Sequence, residues 1–388
     1  MKKTFLKGAI LVCASALLFS GCKKEAMTKT AGAPLTLHTY GLNPMTDDQW
    51  SSVPVFSKEV FGNDEKGLTS GTLPTSYLLA SPAVRDQGQI GSCTGFCGAE
   101  TNEILHYYKN TTSPVTSTSL DSATGLATAV STQFSGTSLF GTDGALSPLF
   151  LYYVERVVIN KGSITSDPGA NMVNIPEAFQ GLTNNSGSGR TLTEIIGSTT
   201  YTFAGICEES YYPYPSNGSN TSTAYKTAPT ATAIANAPGF DIATQAGTTG
   251  SSGTTTHGYY VLNSTTLVND VKTALYNNKP VMMGFNVYDN SAYQYFEGLG
   301  VAGYSPNTFT YNPVTSSGNI ISGLKLLGGH ANAIIGYINE ASAPGGGYFI
   351  VENSWNTNWG YYGYWYLPYS VLTNTKIVPS GNLYVAVI

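Results

Sequence analysis

Charge is scarce in this chain. Of 388 residues only 11% are Asp, Glu, Lys or Arg, 18 basic against 23 acidic, for a formal net charge of −5. That balance supplies neither a basic patch to neutralise a phosphate backbone nor a polybasic stretch to hold an anionic surface, so nucleic acid is excluded as a partner. Histidine and cysteine are sparse as well, 4 and 5 residues. They nowhere cluster at ligand spacing, so no metal is expected, and no cofactor is implied. Beyond the first residues there is also no apolar run of the roughly 20 residues that a membrane-spanning helix needs.

The N-terminus holds a shorter apolar run. Met1-Lys2-Lys3 gives a basic start, Phe5 to Phe19 are mostly apolar, and Ser20-Gly21-Cys22 closes the stretch with small residues before a cysteine. Residues 1–21 read as an export signal of the lipoprotein type, with Cys22 as the lipidated residue. Phe19, third before Cys22, is bulkier than usual there, and an ordinary cleaved secretory signal is the alternative. The mature chain is then extracytoplasmic, a cell-envelope lipoprotein at the outer membrane or cell surface, held by a lipid anchor. If Cys13 leaves with the signal and Cys22 carries lipid, then Cys93, Cys97 and Cys207 remain. Cys97 and Cys207 can form a disulfide in such a compartment or stay as two buried thiols, and the sequence leaves both open.

Residues 22–72 form a tether rich in Thr, Ala and Gly, or a short pro-segment. Thr46 and Gln49 have the spacing of a capping box, and Met45 and Trp50 that of a hydrophobic staple, so a short helix is expected before Pro54. From Cys93 the residues Cys97, Thr101, Ile104, Leu105 and Tyr108 recur at helical spacing, which puts Cys93 in the first turn of an amphipathic helix with Ser92 as its cap. A helix N-terminus stabilises a thiolate. Thr266 to Asn277 predicts another helix. Val281–Tyr288, Ala331–Ile338, Tyr348–Glu352, Tyr362–Leu367 and Leu383–Ile388 have the β-branched and aromatic content of strands. His330 would open one of them and Asn353 would end another, so neighbouring strands can bring the two together. The polar stretches near 109–145, 183–200 and 215–258 read as surface insertions.

Chemistry gathers at three places. Gln87-Gly88-Gln89-Ile90-Gly91-Ser92-Cys93 carries a thiol, Gly328-Gly329-His330-Ala331 an imidazole, and Asn353-Ser354-Trp355 an amide. In that order they are a nucleophile, its base and the group that orients the base. His330 stands out among the histidines by context, because His38 lies in the tether, His106 on a helix flank and His257 in a Gly/Thr loop.

These segments resemble those of papain-like cysteine peptidases, and so do Leu146-Ser147-Pro148-Leu149-Phe150-Leu151-Tyr152-Tyr153, the Gly205-to-Tyr214 run, Lys279-Pro280-Val281 and Trp359-Gly360-Tyr361-Tyr362-Gly363-Tyr364. The resemblance covers residue 73 to the end as one peptidase domain, 73–388. It implies an α+β fold of two subdomains, a helical one carrying the nucleophile packed on an antiparallel β one carrying His and Asn. It also implies a peptidase acting on polypeptide substrates. Cys93 would be the nucleophile, His330 the base, Asn353 the orienter and Gln87 the oxyanion donor. Gly284 and Ala331 would line the wall receiving the residue second from the scissile bond, with Gly169 and Trp355 bordering the groove. The N-terminal segment often occupies the cleft of a family zymogen; here it is short and lacks a long helical pattern, so it reads as a linker, with an inhibitory segment as the alternative. The chain departs from the family pattern at Ile90, at Thr94 and at Asn356, where Cys, Trp and Gly are usual. A catalytically silent binding or adhesion protein on the same fold is the other class, suggested by the many Tyr and the polar loops.

Overall fold

The computed structural model describes residues 37–56, 72–183, 190–215, 223–242, 258–301, 303–304 and 309–388. The signal, Cys22 and His257 lie outside them. Two halves share one core. The first is helical, built on the long helix Cys93–Asn110, the helix Pro148–Tyr153 with its π-helical continuation Val154–Ile159, and Asn174–Gln180. Ser147 starts the second of these, its hydroxyl accepting from Phe150 N at 3.1 Å with Pro148 at the first helical position. Two glycines bring that helix close to the first: a Cβ at Gly95 would lie 2.4 Å from Pro148 O, and one at Gly98 2.2 Å from Leu151 Cδ2.

The second half is an antiparallel sheet in which the long strand Lys325–Asn339 is central. It pairs with Ser76–Leu79, with Val281–Asp289 and, toward its C-terminal end, with Gly347–Glu352, which pairs in turn with Tyr364–Pro368. Leu383–Ala386 and Tyr259–Val261 extend the sheet beyond Val281–Asp289. The helix Leu267–Tyr276 stands where its apolar face predicts. The long helix packs on the central strand, and this contact joins the two halves of the α+β fold.

Several expectations need correction. His330 lies inside the central strand rather than opening it, because pairing with Val281–Asp289 carries the strand back to Lys325 through Gly328 and Gly329. The helix Cys93–Asn110 is buried on every side from Cys93 to Tyr107 and is not amphipathic, since the sheet covers one flank and other helices the other. Residues 109–145 are more than surface: Leu126, Ala129 and Phe140 are buried in the core, and Phe134 stacks on Tyr107 at 4.2 Å. The short helix after Thr46 is a single turn, Asp47–Trp50, with Thr46 N donating to Gln49 Oε1 at 2.9 Å. Residues 37–56 do not stand off as a linker. Val55 bridges to Val261, and the segment before Asn43 runs into the junction of the two halves.

Candidate active site

Cys93 is the first residue of its helix, where the free backbone N–H groups favour negative charge. Ser92 does not cap it: the Ser92 hydroxyl shares a 2.7 Å hydrogen bond with the Tyr214 hydroxyl, which itself donates to Gln87 O at 2.9 Å. This ties the turn before Cys93 to the run that begins at Cys207. Cys97 and Cys207 are free and buried, so the two-thiol reading holds.

Antiparallel pairing sets His330 opposite Phe285, and the neighbouring strand Gly347–Glu352 delivers Asn353 just past its end. His330 Nε2 lies 2.8 Å from Asn353 Oδ1. That oxygen also accepts from Asn332 Nδ2 at 3.0 Å and from Ser354 N at 2.8 Å, so the amide is locked with its carbonyl toward the ring. His330 Nδ1 has no partner although buried. Trp355 covers the pair, its ring 4.7 Å from the imidazole. Gln87 is held by Ser354 Oγ on its Oε1 at 2.7 Å, through its own N to Ser354 O at 2.8 Å, and through Nε2 to Ile90 O at 3.1 Å. The backbone N–H groups of Gly41 and Ala331 both act to favour the Cys93 thiolate, which puts the residue after the histidine near the thiol.

Gly41 belongs to a segment that sequence reasoning left in the tether. Residues 37–43 thread the cleft. Leu37 O accepts from Gln89 Nε2 at 2.7 Å and Thr39 O from Gln87 Nε2 at 3.3 Å. Leu42 N donates to Gly329 O at 3.2 Å, Asn43 N to Ala170 O at 2.8 Å, and Ala170 N to Gly41 O at 2.9 Å. His38 stacks on Trp355 at 3.9 Å and 5°. At the other end Leu42 packs beside Gly284 and Met172, against the wall where Gly284 pairs with Ala331. Gly169, with φ +76°, faces Gly41: a Cβ there would sit 2.1 Å from Gly41 O.

This filling determines the electrostatics. Burial pushes the Cys93 thiol up to about 12, against the opposing backbone hydrogen bonds, and pulls the His330 imidazole down to about 3, with Asn353 opposing and His38 adding to the fall. Both shifts favour the neutral pair, so the closed cleft holds a thiol and an imidazole rather than an ion pair.

The departures have local explanations. Asn356 takes φ 53°, a left-handed conformation that Asn tolerates better than most residues, while its amide donates to Asp86 Oδ2 at 3.0 Å. Ile90 is a buried hydrophobe packed with Tyr152 and Ala170. Thr94 donates to the buried Glu155 carboxyl at 2.6 Å and so ties the helix Cys93–Asn110 to the π-helical segment. Asn332 and Glu297 were missed. The signal for Asn332 was a polar residue inside an apolar strand two places after His330, hence on the same face.

The sequence profile of the papain family cysteine proteases matches residues 184–377, a span holding His330 and Asn353 but not Cys93. A gut-specific cysteine proteinase of Caenorhabditis elegans is 33% identical over 94 residues, which cover 24% of this chain and only 22% of that protein. The crystal structure of xylellain, a cysteine protease from Xylella fastidiosa, superposes with a TM-score of 0.56 at 20% identity over 92% of this chain and 99% of that one. The chain belongs to the papain family of cysteine proteases.

Proposed function

We propose that the protein is a cell-envelope cysteine peptidase that cleaves polypeptides as an endopeptidase and is held silent by its own residues 37–43. Cys93 as thiolate attacks the scissile carbonyl, and His330 holds the proton and passes it to the leaving amine. Asn353 orients the ring, and the Gln87 side-chain amide with the Cys93 N–H receives the developing oxyanion. Water then releases the acyl group. The observation that carries the reading is the 2.8 Å contact of His330 Nε2 with Asn353 Oδ1, which leaves Nδ1 as the nitrogen free to serve the thiol.

Leu42 at the Gly284 wall supports that wall as the receptor for an apolar residue second from the scissile bond. A substrate would lie there with the part of its chain before the scissile bond. The cleft segment reaches the wall with its later residues, so it runs the opposite way and presents its peptide bonds in reversed polarity. An endopeptidase reading is supported by the same passage, because polypeptide crosses the cleft on both sides of Cys93.

Activity is tested in the full chain carrying Gly41→Val, which removes the segment for reasons given below. Cys93→Ala in that background should abolish peptide hydrolysis, a loss of several orders of magnitude, while Cys97→Ala should leave it intact. Hydrolysis by the Cys93→Ala chain would reject the mechanism, and an inert but folded Gly41→Val chain would favour the silent binding protein. Anchoring at Cys22 is tested by expressing the full chain and Cys22→Ser in a host that processes lipoproteins. Only the variant should leave the membrane fraction, and equal distribution would end the lipid-anchor reading.

A further inference from the structure

We propose that Glu297 is a specificity-determining residue on the leaving-group side of the cleft, selecting polypeptides with a lysine or arginine just after the scissile bond. The inference rests on the peptidase reading, which sets Leu42 on the acyl side of Cys93 and therefore His38 and Tyr40 on the other. The Glu297 side chain is only 1% exposed. Its carboxylate is held by two donors, His38 Nδ1 at 3.3 Å from Oε2 and the Tyr40 hydroxyl on Oε1. Both belong to the segment that must leave before a substrate can enter. The wall that stays is Trp355, on which His38 stacks at 3.9 Å and which Tyr40 meets edge-on at 6.0 Å; Phe296 and Trp359 back it at 5.2 and 5.5 Å. Trp359 Nε1 donates to the backbone oxygens of Phe296 and Glu297, not to the carboxylate.

The neighbouring Asp289 has a different task. Its Oδ1 accepts from Asn290 N and Tyr295 N, and its Oδ2 from Phe296 N and Glu297 N, all between 2.8 and 3.0 Å. Asp289 thus closes the loop and has little capacity left, whereas Glu297 is presented to the cleft. Among the described residues the ion pairs of arginine and lysine, Arg85 with Glu103 and Lys161 with Glu194, are separate from it.

When the segment leaves, water can reach the carboxylate. A substrate then covers it again, and a carboxylate covered without a donor is strongly unfavourable. A substrate that brings its own cation replaces the hydrogen bonds that His38 and Tyr40 supplied, and the Trp355 face that His38 vacates favours that cation further. A site built to pair a buried polar group rejects partners lacking the complement more sharply than an apolar pocket distinguishes sizes.

The test uses the full chain with Gly41→Val and two fluorogenic peptides, identical with Leu second before the scissile bond and differing only in Lys or Glu directly after it. The Lys peptide should be favoured at least about tenfold in kcat/KM. Glu297→Gln should bring the ratio close to one, chiefly by slowing the Lys peptide. Equal cleavage of both peptides, or a preference that survives Glu297→Gln, overturns the inference while leaving the peptidase reading standing. Cleavage of neither removes that reading and the inference with it. A second measurement avoids altering Glu297. In the otherwise native full chain, His38→Lys and His38→Glu both lose the stack on Trp355 but place opposite charges at the carboxylate. Alkylation of Cys93 should be several-fold slower in the Lys variant than in the Glu variant, and equal rates would count against the inference.

Discussion

At the scale of single residues, the candidate site is set by who satisfies the Asn353 carbonyl. Asn332 Nδ2 is 3.0 Å from Asn353 Oδ1 and 3.3 Å from His330 Nε2, and it also donates to Ala331 O at 2.8 Å. It touches no substrate and acts through Asn353. Asn332→Leu in the opened chain should lower kcat about tenfold, the worth of one ordinary hydrogen bond near 1.4 kcal/mol. KM should hardly move, and the alkaline limb of the pH profile should shift to lower pH as the imidazolium is held less well. A change confined to KM would show that Asn332 shapes the groove instead. The thiol, the imidazole and the amide were legible in sequence because each sits in a short run of distinctive neighbours. Asn332 carried only its parity with His330, and Glu297 had no local signal at all, since its meaning comes from His38 and Tyr40 some 250 positions earlier.

At the scale of elements, strands and helices were legible wherever local composition agrees with burial. Val281–Asp289 and Leu267–Tyr276 fall within a residue of where β-branched content and the apolar face put them. The run from Leu37 to Asn43 has no such period. Its shape is imposed by long-range backbone bridges to Gly329 and Ala170, which is why a linker reading suited its composition. One residue makes its seating all or none. A Cβ built on Gly41 would lie 1.7 Å from Gly91 O and 2.3 Å from Gly91 C, a clash with backbone that cannot swing aside. Gly41→Val should therefore expel the segment without touching the peptidase core. Relieved of burial, the thiol should ionise more readily, and iodoacetamide should alkylate Cys93 at least about tenfold faster in the variant at pH 8. Cys93→Ala in the same background corrects for Cys97 and Cys207. Unchanged labelling would mean that residues 37–43 are not what closes the cleft.

At the scale of the whole molecule, a chain poor in charge has put much of its acid inside. Burial raises Glu352 and Glu155 to about 8 and Glu209 to about 7, and it holds Glu100, faced by Glu352, well above the ordinary carboxyl value. Arg85, 3.0 Å from Glu103, lowers Glu100, Glu352 and Glu209 in part. A carboxyl raised in the folded state keeps its proton where the unfolded chain has lost it. Its contribution to stability is therefore full below the unfolded value, near 4.5, and is lost as pH rises through 7 to 8. The buried histidines work the other way: His330 and His106 are lowered to about 3 and about 4, so they weaken the fold as pH falls below the ordinary histidine range and add little slope above it. Between about pH 6.5 and 8 the carboxyls dominate, and the melting temperature should fall as pH rises. Calorimetry on the full chain across that window checks the sign. Glu352→Gln, which keeps the shape and removes the titration, should make the fall shallower. A melting temperature that climbs toward pH 8 would mean that these carboxylates find partners in the folded protein, and the buried acid would then have to be read as paired charge.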